Sequence, residues 1–265
     1  MATRSALINV MIRAADKAAR GLKRDFGEVE NLQVSRKGPA DFVSAADLRA
    51  EKILREELTR ARPGYALLME ESGHSRPRDA TEDRRWIVDP LDGTSNFLHG
   101  LPHFAISIAL EERGEVIAGV VYDPVKDEMF YGEKGTGAYM NDRRIRVSAR
   151  DRMEDALIGT GAPYKGHGAP AQFLREVDAV LGATAGVRRF GAASLDLAYV
   201  ASGRFDGFWE RDLSPWDTAA GLVLVREAGG YVSEVEGKPY RIDSPNILAA
   251  NDRLHGALTK LLRGR

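Results

Sequence analysis

The sequence predicts a layered α/β fold whose first half is of the α+β type. Two amphipathic helical patterns open the chain, and four short apolar runs separated by turn residues follow between Ala105 and Met140. After about Val147, strand-like runs alternate with helical ones. Helices followed by an antiparallel meander favour packing on one sheet face, and alternation favours a layered α/β half. We therefore expect two halves, 1–147 and 148–265, that share one site.

The elements of the first half follow from hydrophobic periodicity and from Gly, Pro and Asn-Asp breaks. In chain order we expect a helix from about Leu7 that ends at Gly21, a polar loop or hairpin (31–40), a helix from about Asp47 to Arg62, two buried strands (65–69 and 86–88) and four meander strands (105–110, 116–122, 128–131 and 138–140). The expected elements of the second half are strands 156–159, 187–190, 205–209 and 247–250, which alternate with helices 171–181, 194–202, 217–228 and 253–262. The glycine-rich stretch 132–137 fits a hairpin turn better than a nucleotide loop.

Composition excludes several classes of protein. The 265 residues include 38 Lys and Arg against 39 Asp and Glu, a net charge of −1, so binding of nucleic acid by bulk positive charge is not indicated. The chain has no Cys, which excludes disulfides, thiolate nucleophiles and Cys-ligated metals. Charges interrupt the apolar pattern of the N-terminus, and no run of eighteen apolar residues occurs, so we expect a cytoplasmic protein without a membrane segment.

The strongest local signal is the stretch 86–97, Trp-Ile-Val-Asp-Pro-Leu-Asp-Gly-Thr-Ser-Asn-Phe. A buried strand ends on Asp89, and Asp92 follows with the carbonyl of Leu91 between them. Oxygen ligands at this spacing suit a hard cation such as Mg²⁺. The amides of 93–95 would open a helix, where a phosphate can bind without a lysine. The structural alternative is that Asp92 caps a helix and Asp89 closes a turn.

Three further acidic motifs lie far from this one: 69–73 with Glu70, 210–221 with Asp217, and 41–47 with Asp47. Each has a structural alternative, because Glu70 could be a solvated loop residue, Asp217 an N-cap, and Asp47 the partner of Ser44 in a capping box. If Glu70 and Asp217 join the two aspartates, four negative charges meet. Two such charges 4 Å apart repel by roughly 4 kcal/mol at an effective dielectric near 20. Such a cluster raises its pKa values or binds cations, and two divalent ions would suit phosphoryl chemistry.

At these residues the sequence resembles the inositol monophosphatase family of magnesium-dependent, lithium-sensitive phosphatases. The motifs that carry the resemblance are 86–97, 216–221 (Trp-Asp-Thr-Ala-Ala-Gly), the Glu-Glu at 70–71 and the Asp-x-Val-Ser-x-x-Asp at 41–47, and the stretches 189–199 and 203–210 resemble the bacterial branch. The resemblance implies a five-layered αβαβα sandwich of the sugar-phosphatase type, a homodimer, Mg²⁺ as cofactor and a small phosphate monoester as substrate. The implied reaction is hydrolysis of myo-inositol monophosphate by metal-activated water.

The resemblance also implies roles for individual residues. The implied metal ligands are Glu70, Asp89, the Leu91 carbonyl, Asp92 and Asp217. The implied catalytic residues are Glu70 and Thr94, which position the attacking water, and Asp47 as their outer partner. The implied substrate contacts are Gly93, Thr94 and Ser95 for the phosphate, and Gly191, Ala192, Ala193 and Glu210 for the alcohol, with Lys37 approaching from the side. Ala192 departs from relatives that carry a hydroxyl there, which bears on fine substrate preference.

Several alternatives stay open. Fructose 1,6-bisphosphate, histidinol phosphate and 3′-phosphoadenosine nucleotides are other small phosphate esters that such a site could hydrolyse, although no extra lobe for a base is evident. A regulatory binding protein that retains the phosphatase scaffold is an alternative of a different class. A zinc pair of His99 and His103 is disfavoured, because Gly100 and Pro102 prevent the helix that it would need.

Overall fold

The chain forms seven α-helices and fifteen strands within the described residues of the computed structural model, which describes residues 4–28, 34–38, 41–77, 83–164 and 168–264, with the backbone alone at 34–38 and 41–43. The helices are α1 (Ala6–Phe26), α2 (Ala45–Ala61), α3 (Thr94–Leu98), α4 (Pro170–Leu181), α5 (Ala193–Ala201), α6 (Pro215–Glu227) and α7 (Asp252–Leu262). The strands are β1 (Val34–Gly38), β2 (Asp41–Ser44), β3 (Ala66–Met69), β4 (Gly73–Ser75), β5 (Arg84–Asp92), β6 (Ala105–Glu112), β7 (Glu115–Asp123), β8 (Glu128–Glu133), β9 (Gly137–Met140), β10 (Arg143–Ile145), β11 (Leu157–Thr160), β12 (Gly186–Arg188), β13 (Gly207–Arg211), β14 (Tyr231–Ser233) and β15 (Asn246–Ala250).

Two sheets organise the molecule. The first has eight strands in the order β10-β9-β8-β7-β6-β5-β3-β4, and the second has five in the order β12-β11-β13-β15-β14. Strands β6 to β9 form the predicted antiparallel meander, β5 extends it by pairing antiparallel with β6, and β3 runs parallel to β5. In the second sheet β11 lies parallel to both β12 and β13. Strands β1 and β2 form a separate hairpin, which confirms the hairpin alternative for that stretch.

Helices cover both faces of each sheet and produce five layers. Helices α1 and α2 pack on one face of the eight-stranded sheet, α5 and α6 lie between the sheets, and α4 and α7 cover the outer face of the five-stranded sheet. Alternation along the strands supplies the separate cores: Ile87 and Val88 face opposite sides of one sheet, and Phe208 and Trp209 opposite sides of the other. The αβαβα sandwich is therefore confirmed. Within the described part of the chain, no helix combines the length and apolar character that a bilayer crossing requires.

Small residues let α6 lie very close to its neighbours. A Cβ atom on Gly119 of β7 would stand 2.6 Å from the carbonyl oxygen of Ala220. A Cβ on Gly221 would stand 2.4 Å from the Cβ of Leu197 on α5. The small residues at the start of α6 therefore allow close packing of this helix against β7 and α5.

Several predicted boundaries are wrong. Helix α1 does not end at Gly21 but continues to Phe26, because burial of Leu22 and the basic residues of the last turn outweigh the roughly 1 kcal/mol cost of a helical glycine. The strand expected to reach Phe190 ends at Arg188, and the one expected from Phe205 begins at Gly207.

Three short strands, β4, β10 and β14, escaped prediction because three-residue segments carry too little periodicity. The hairpin turn in the glycine-rich stretch is confirmed, with Gly135 at positive φ between β8 and β9 and Gly137 at positive φ as the first residue of β9. The division into 1–147 and 148–265 stays a prediction, and α6 of the second half packs against the sheet of the first.

Candidate active site

Asp89 and Asp92 lie at the end of β5, on a bulge. Three residues apart, they would face opposite sides of a regular strand. On β6, however, their partners Ser107 and Ala105 are only two residues apart, so β5 contains one extra residue between them. The bulge therefore restores both carboxylates to one side. Asp89 is 2% exposed and Asp92 8% exposed.

Glu70 and Asp217 reach the same place from other elements. Glu70 follows β3, and its amide donates to the Val88 carbonyl at 3.2 Å, which continues the β3–β5 ladder. Asp217 lies in the first turn of α6, where its Oδ2 accepts a hydrogen bond from the Ser214 amide at 2.7 Å. The N-cap of α6 is Ser214, so the alternative that Asp217 is itself the N-cap is wrong. Asp217 is the third helical residue and forms a capping box with Ser214, and it also lines the cavity that Glu70 and Asp92 line.

Burial and the charges of their acidic neighbours raise the pKa values of three carboxyl groups in this cluster. Burial raises the pKa of Asp89 well above its ordinary value, and the negative charges of Glu70, Asp92 and Asp217 raise it further. Burial raises the pKa of Asp92 to about 6, against hydrogen bonds from Ser194 that lower it. The pKa of Asp217 also stands well above its ordinary value, because of burial and the charge of Asp92. Four carboxyl groups from three separate motifs thus lie in one acidic cluster.

The donor set fits a hard divalent cation. Its buried carboxylates repel one another, and protons or cations relieve such repulsion. The donors are all oxygens, which Mg²⁺ prefers. The Asp89 carboxylate is oriented by the Leu91 amide, which donates to it at 2.9 Å. Among the described residues, no three Asp, Glu or His side chains are already close enough together to coordinate one metal ion.

A series of side-chain hydrogen bonds connects α2 to α3 beside the acidic cluster. The Thr94 hydroxyl lies 3.1 Å from Oδ1 of Asp47 and 3.0 Å from the Leu91 carbonyl, and it can donate to either. Asp47 is fully buried and accepts hydrogen bonds from the Ser44 amide and hydroxyl, which completes the predicted capping box. Burial raises the pKa of Asp47, and the charge of Glu70 adds to this rise. Asp47 therefore caps a helix and holds the Thr94 side chain.

The lack of a side chain at Gly93 lets the residues around His103 and Ala192 lie close to the start of α3. Gly93 caps α3 with φ at 90°, and a Cβ there would stand 3.0 Å from the His103 carbonyl oxygen and 3.4 Å from the Cβ of Ala192. Ala192 is thus buried against Gly93. The amides of Gly93, Thr94 and the exposed Ser95 stand at the start of this short helix.

A cavity of about 460 Å³ opens from the acidic cluster. Its wall includes Gly191, Ala193 and Glu210 among the predicted substrate contacts. Burial raises the pKa of Glu210 to about 8, and the charges of Asp217 and Asp92 add to this rise. The side chain of Lys37 lies outside the described residues.

Sequence reasoning missed three side chains of this region. The Ser194 amide and hydroxyl donate to Oδ2 of Asp92 at 2.8 and 2.5 Å. The Asn96 amide group donates to the carbonyls of His103 and Phe190, both at 2.8 Å, and so ties the two loops together. The third is Asp196, which is buried and whose carboxyl oxygens have no hydrogen-bond partner among the described residues. A small polar residue at the start of a helix was the available signal for Ser194, whereas only the tertiary structure reveals the other two.

The five-layered fold and its acidic cavity define the class of the protein, and comparison with known sequences defines the family. A sequence model of the inositol monophosphatase family matches residues 3–265. The chain belongs to this family.

Relatives of known sequence and structure agree with this membership. The inositol-1-monophosphatase of Rhizobium meliloti is 56% identical over 260 residues, which cover 98% of this chain and 97% of that protein. The Nus factor SuhB of Pseudomonas aeruginosa is 43% identical over 254 residues, 95% of this chain and 94% of that one. The crystal structure of extragenic suppressor protein suhB from Bartonella henselae superposes with a TM-score of 0.94 at 54% identity, covering 98% of this chain and 99% of the other. Together they support a phosphatase, and the SuhB names leave its substrate open.

Proposed function

We propose that the chain is a Mg²⁺-dependent phosphomonoesterase that hydrolyses myo-inositol monophosphate to inositol and phosphate. The observation that supports it most is the convergence of Glu70, Asp89, Asp92 and Asp217 in one buried cluster beside the start of α3. A cluster of this charge has little use in a protein that only binds neutral ligands. The name of the Rhizobium meliloti relative supports the choice of inositol phosphate.

In this proposal the metal ligands are Glu70, Asp89, the Leu91 carbonyl, Asp92 and Asp217. When bound, Mg²⁺ supplies positive charge for the phosphate and leaving oxygens and lowers the pKa of a water. The chain holds the ligands in advance: the Leu91 amide orients Asp89, Ser194 orients Asp92, and the Ser214 amide orients Asp217. Placement of charge is what a loose phosphoryl transition state needs from a protein.

The attacking water is positioned by Glu70 and Thr94. The Thr94 hydroxyl can accept from the water while it donates to Asp47, whose carboxylate is held by Ser44. Asp47 thus sets the direction of the Thr94 hydroxyl from outside the reacting atoms. Glu70 can take the proton that the water loses.

Different residues bind the phosphate and the alcohol part of the substrate. The amides of Gly93, Thr94 and Ser95 hold phosphate oxygens at the helix start. Three small residues and one acid enclose the alcohol part: Gly191, Ala192, Ala193 and Glu210. Gly191, Ala193 and Glu210 line the cavity, and the Cβ of Ala192 packs against Gly93.

A phosphate-release panel tests the proposal. Purified protein is assayed with Mg²⁺ on myo-inositol monophosphate, glycerol phosphate, fructose 1,6-bisphosphate, histidinol phosphate, 3′-phosphoadenosine 5′-phosphate and an aryl phosphate. We expect the highest kcat/KM on the inositol ester, activity that EDTA abolishes, and inhibition by lithium. A higher kcat/KM on another ester would support the phosphatase activity but identify a different substrate. No phosphate release from any ester would refute the proposal.

A second role is favoured by one comparison, the similarity to the Nus factor SuhB of Pseudomonas aeruginosa. We propose it as an alternative in which the scaffold binds a macromolecular partner. A pull-down with wild type and with Asp217→Asn separates the two roles, since partner binding that survives loss of the acidic cluster would support an independent function. We also propose a homodimer, which light scattering after size exclusion would test directly.

A further inference from the structure

Strands β11 and β13 run side by side at the cavity, and their register pairs glycines with large side chains. Gly159 is paired with Phe208 and Thr160 with Trp209, so Gly161 continues this register beside Glu210. Gly159 and Gly161 are two residues apart and face the side of the sheet that Phe208 and Glu210 also face. Each glycine thus leaves the space that the neighbouring side chain fills.

The Glu210 carboxyl lies so close to Gly161 that it occupies the space of a side chain at position 161. A Cβ atom on Gly161 would lie 1.7 Å from Oε1 and 1.8 Å from Cδ of Glu210. Both residues line the cavity that opens from the acidic cluster. The carboxyl therefore occupies its position only because residue 161 lacks a side chain.

We propose that Gly161 is a specificity-determining residue, which allows the Glu210 carboxyl to lie against β11, where it contacts the alcohol part of a phosphate ester. This inference rests on the proposed function, because it needs Glu210 as the alcohol contact. Any larger residue at 161 displaces the carboxyl, while the acidic cluster stays in place. A protein with a side chain here would accept phosphate esters with less regard to the hydroxyl groups of their alcohol.

The position allows a clean substitution. Gly161 does not have a positive φ, so alanine fits its backbone. The atoms that a Cβ would meet are the far end of a flexible side chain, which can move without a shift of the backbone. Gly161→Ala is therefore expected to fold normally and to change only where the Glu210 carboxyl lies.

The test is a double-mutant cycle measured on two esters with Mg²⁺, myo-inositol monophosphate and p-nitrophenyl phosphate. Wild type, Gly161→Ala, Glu210→Ala and the double variant are compared by the ratio of kcat/KM for the two esters. We expect Gly161→Ala to lower this ratio by about tenfold or more, the size expected for a lost hydrogen bond to a charged or buried group, mainly through KM for the inositol ester. In the Glu210→Ala background Gly161→Ala should change nothing further, because the clash is gone.

The matched control is Gly256→Ala, since a Cβ there meets no atom within 4 Å, and it should leave the ratio unchanged. An unchanged ratio in Gly161→Ala would overturn the inference, as would an equal loss on both esters or a further loss in the double variant. A wild type without activity on either ester would refute the proposed function itself, and this inference with it.

Discussion

At the level of single residues, Asp92 shows how the protein's own hydrogen bonds orient a carboxylate of the site. Its Oδ2 accepts two hydrogen bonds from Ser194 on α5, while its backbone belongs to β5. Burial nevertheless raises its pKa to about 6, so the hydrogen bonds orient the carboxylate but do not compensate its desolvation. A positioned but uncompensated negative charge is what a cation site requires.

Asp89 is the most sensitive of these positions, because three other carboxylates act on it. We expect Asp89→Asn to lower kcat/KM on any active ester by about 100-fold or more and to weaken Mg²⁺ binding in calorimetry. Because the substitution removes a buried like charge, the variant in EDTA should unfold at the same temperature as wild type or higher. Asp243→Asn, at an exposed aspartate, is the control. Full activity in Asp89→Asn would remove this residue from the site.

At the scale of the element, helix α6 decides whether Asp217 reaches the cluster. The helix lies between the two sheets, and its close approach to β7 depends on Gly119 and Ala220. The atoms that a side chain on Gly119 would meet are backbone atoms, which cannot move aside without a shift of the helix. Packing at this contact therefore controls the geometry of a carboxylate at the start of α6.

Gly119→Ala is expected to lower the free energy of unfolding by about 1–3 kcal/mol, as overpacking of a filled core does. It should also weaken Mg²⁺ binding, because α6 carries Asp217. Denaturant melts and calorimetry measure the two effects. The matched control is Gly21→Ala in α1, where a Cβ meets no atom within 4 Å and alanine should stabilise by roughly 0.5–1 kcal/mol. An unchanged stability in Gly119→Ala would contradict this account of the contact.

In the molecule as a whole, the fold brings acidic side chains together in a buried site, which lowers the stability of the folded state when they are ionised. The folded state holds Asp92 and Glu210 at pKa values of about 6 and about 8, against ordinary values of 3.8 and 4.5. At a pH between a group's ordinary pKa and its raised pKa, the folded protein keeps a proton that the unfolded chain releases. The folded state is therefore most stabilised by these protons below the ordinary pKa values of 3.8 and 4.5. This stabilisation is lost as the pH rises through about 6 for Asp92 and then about 8 for Glu210.

We thus expect the melting temperature in EDTA to fall from about pH 5 to about pH 8, by at least the roughly 2 °C that 1 kcal/mol represents in a chain of this size. Saturating Mg²⁺ should remove much of this fall, because the cation replaces the protons as counter-charge. In EDTA, Glu210→Gln should reduce the fall of the melting temperature at the upper end of this pH range. Thermal melts across this range measure all three effects. A metal-free melting temperature that rises over the same range would contradict the charge cluster.

Most of the elements and the four acidic motifs could be predicted from the amino-acid sequence, since periodicity and local turn chemistry are properties of short segments. The sequence indicated the capping role of Asp47, which depends on residues three apart. Three contacts became evident only in the folded chain: Glu70 and Asp217 lie with the aspartates of β5, Ser194 donates hydrogen bonds to Asp92, and Gly161 leaves space for Glu210. These contacts join residues far apart in the chain, and they depend on strand register, on a one-residue bulge and on how closely layers pack, none of which local patterns encode.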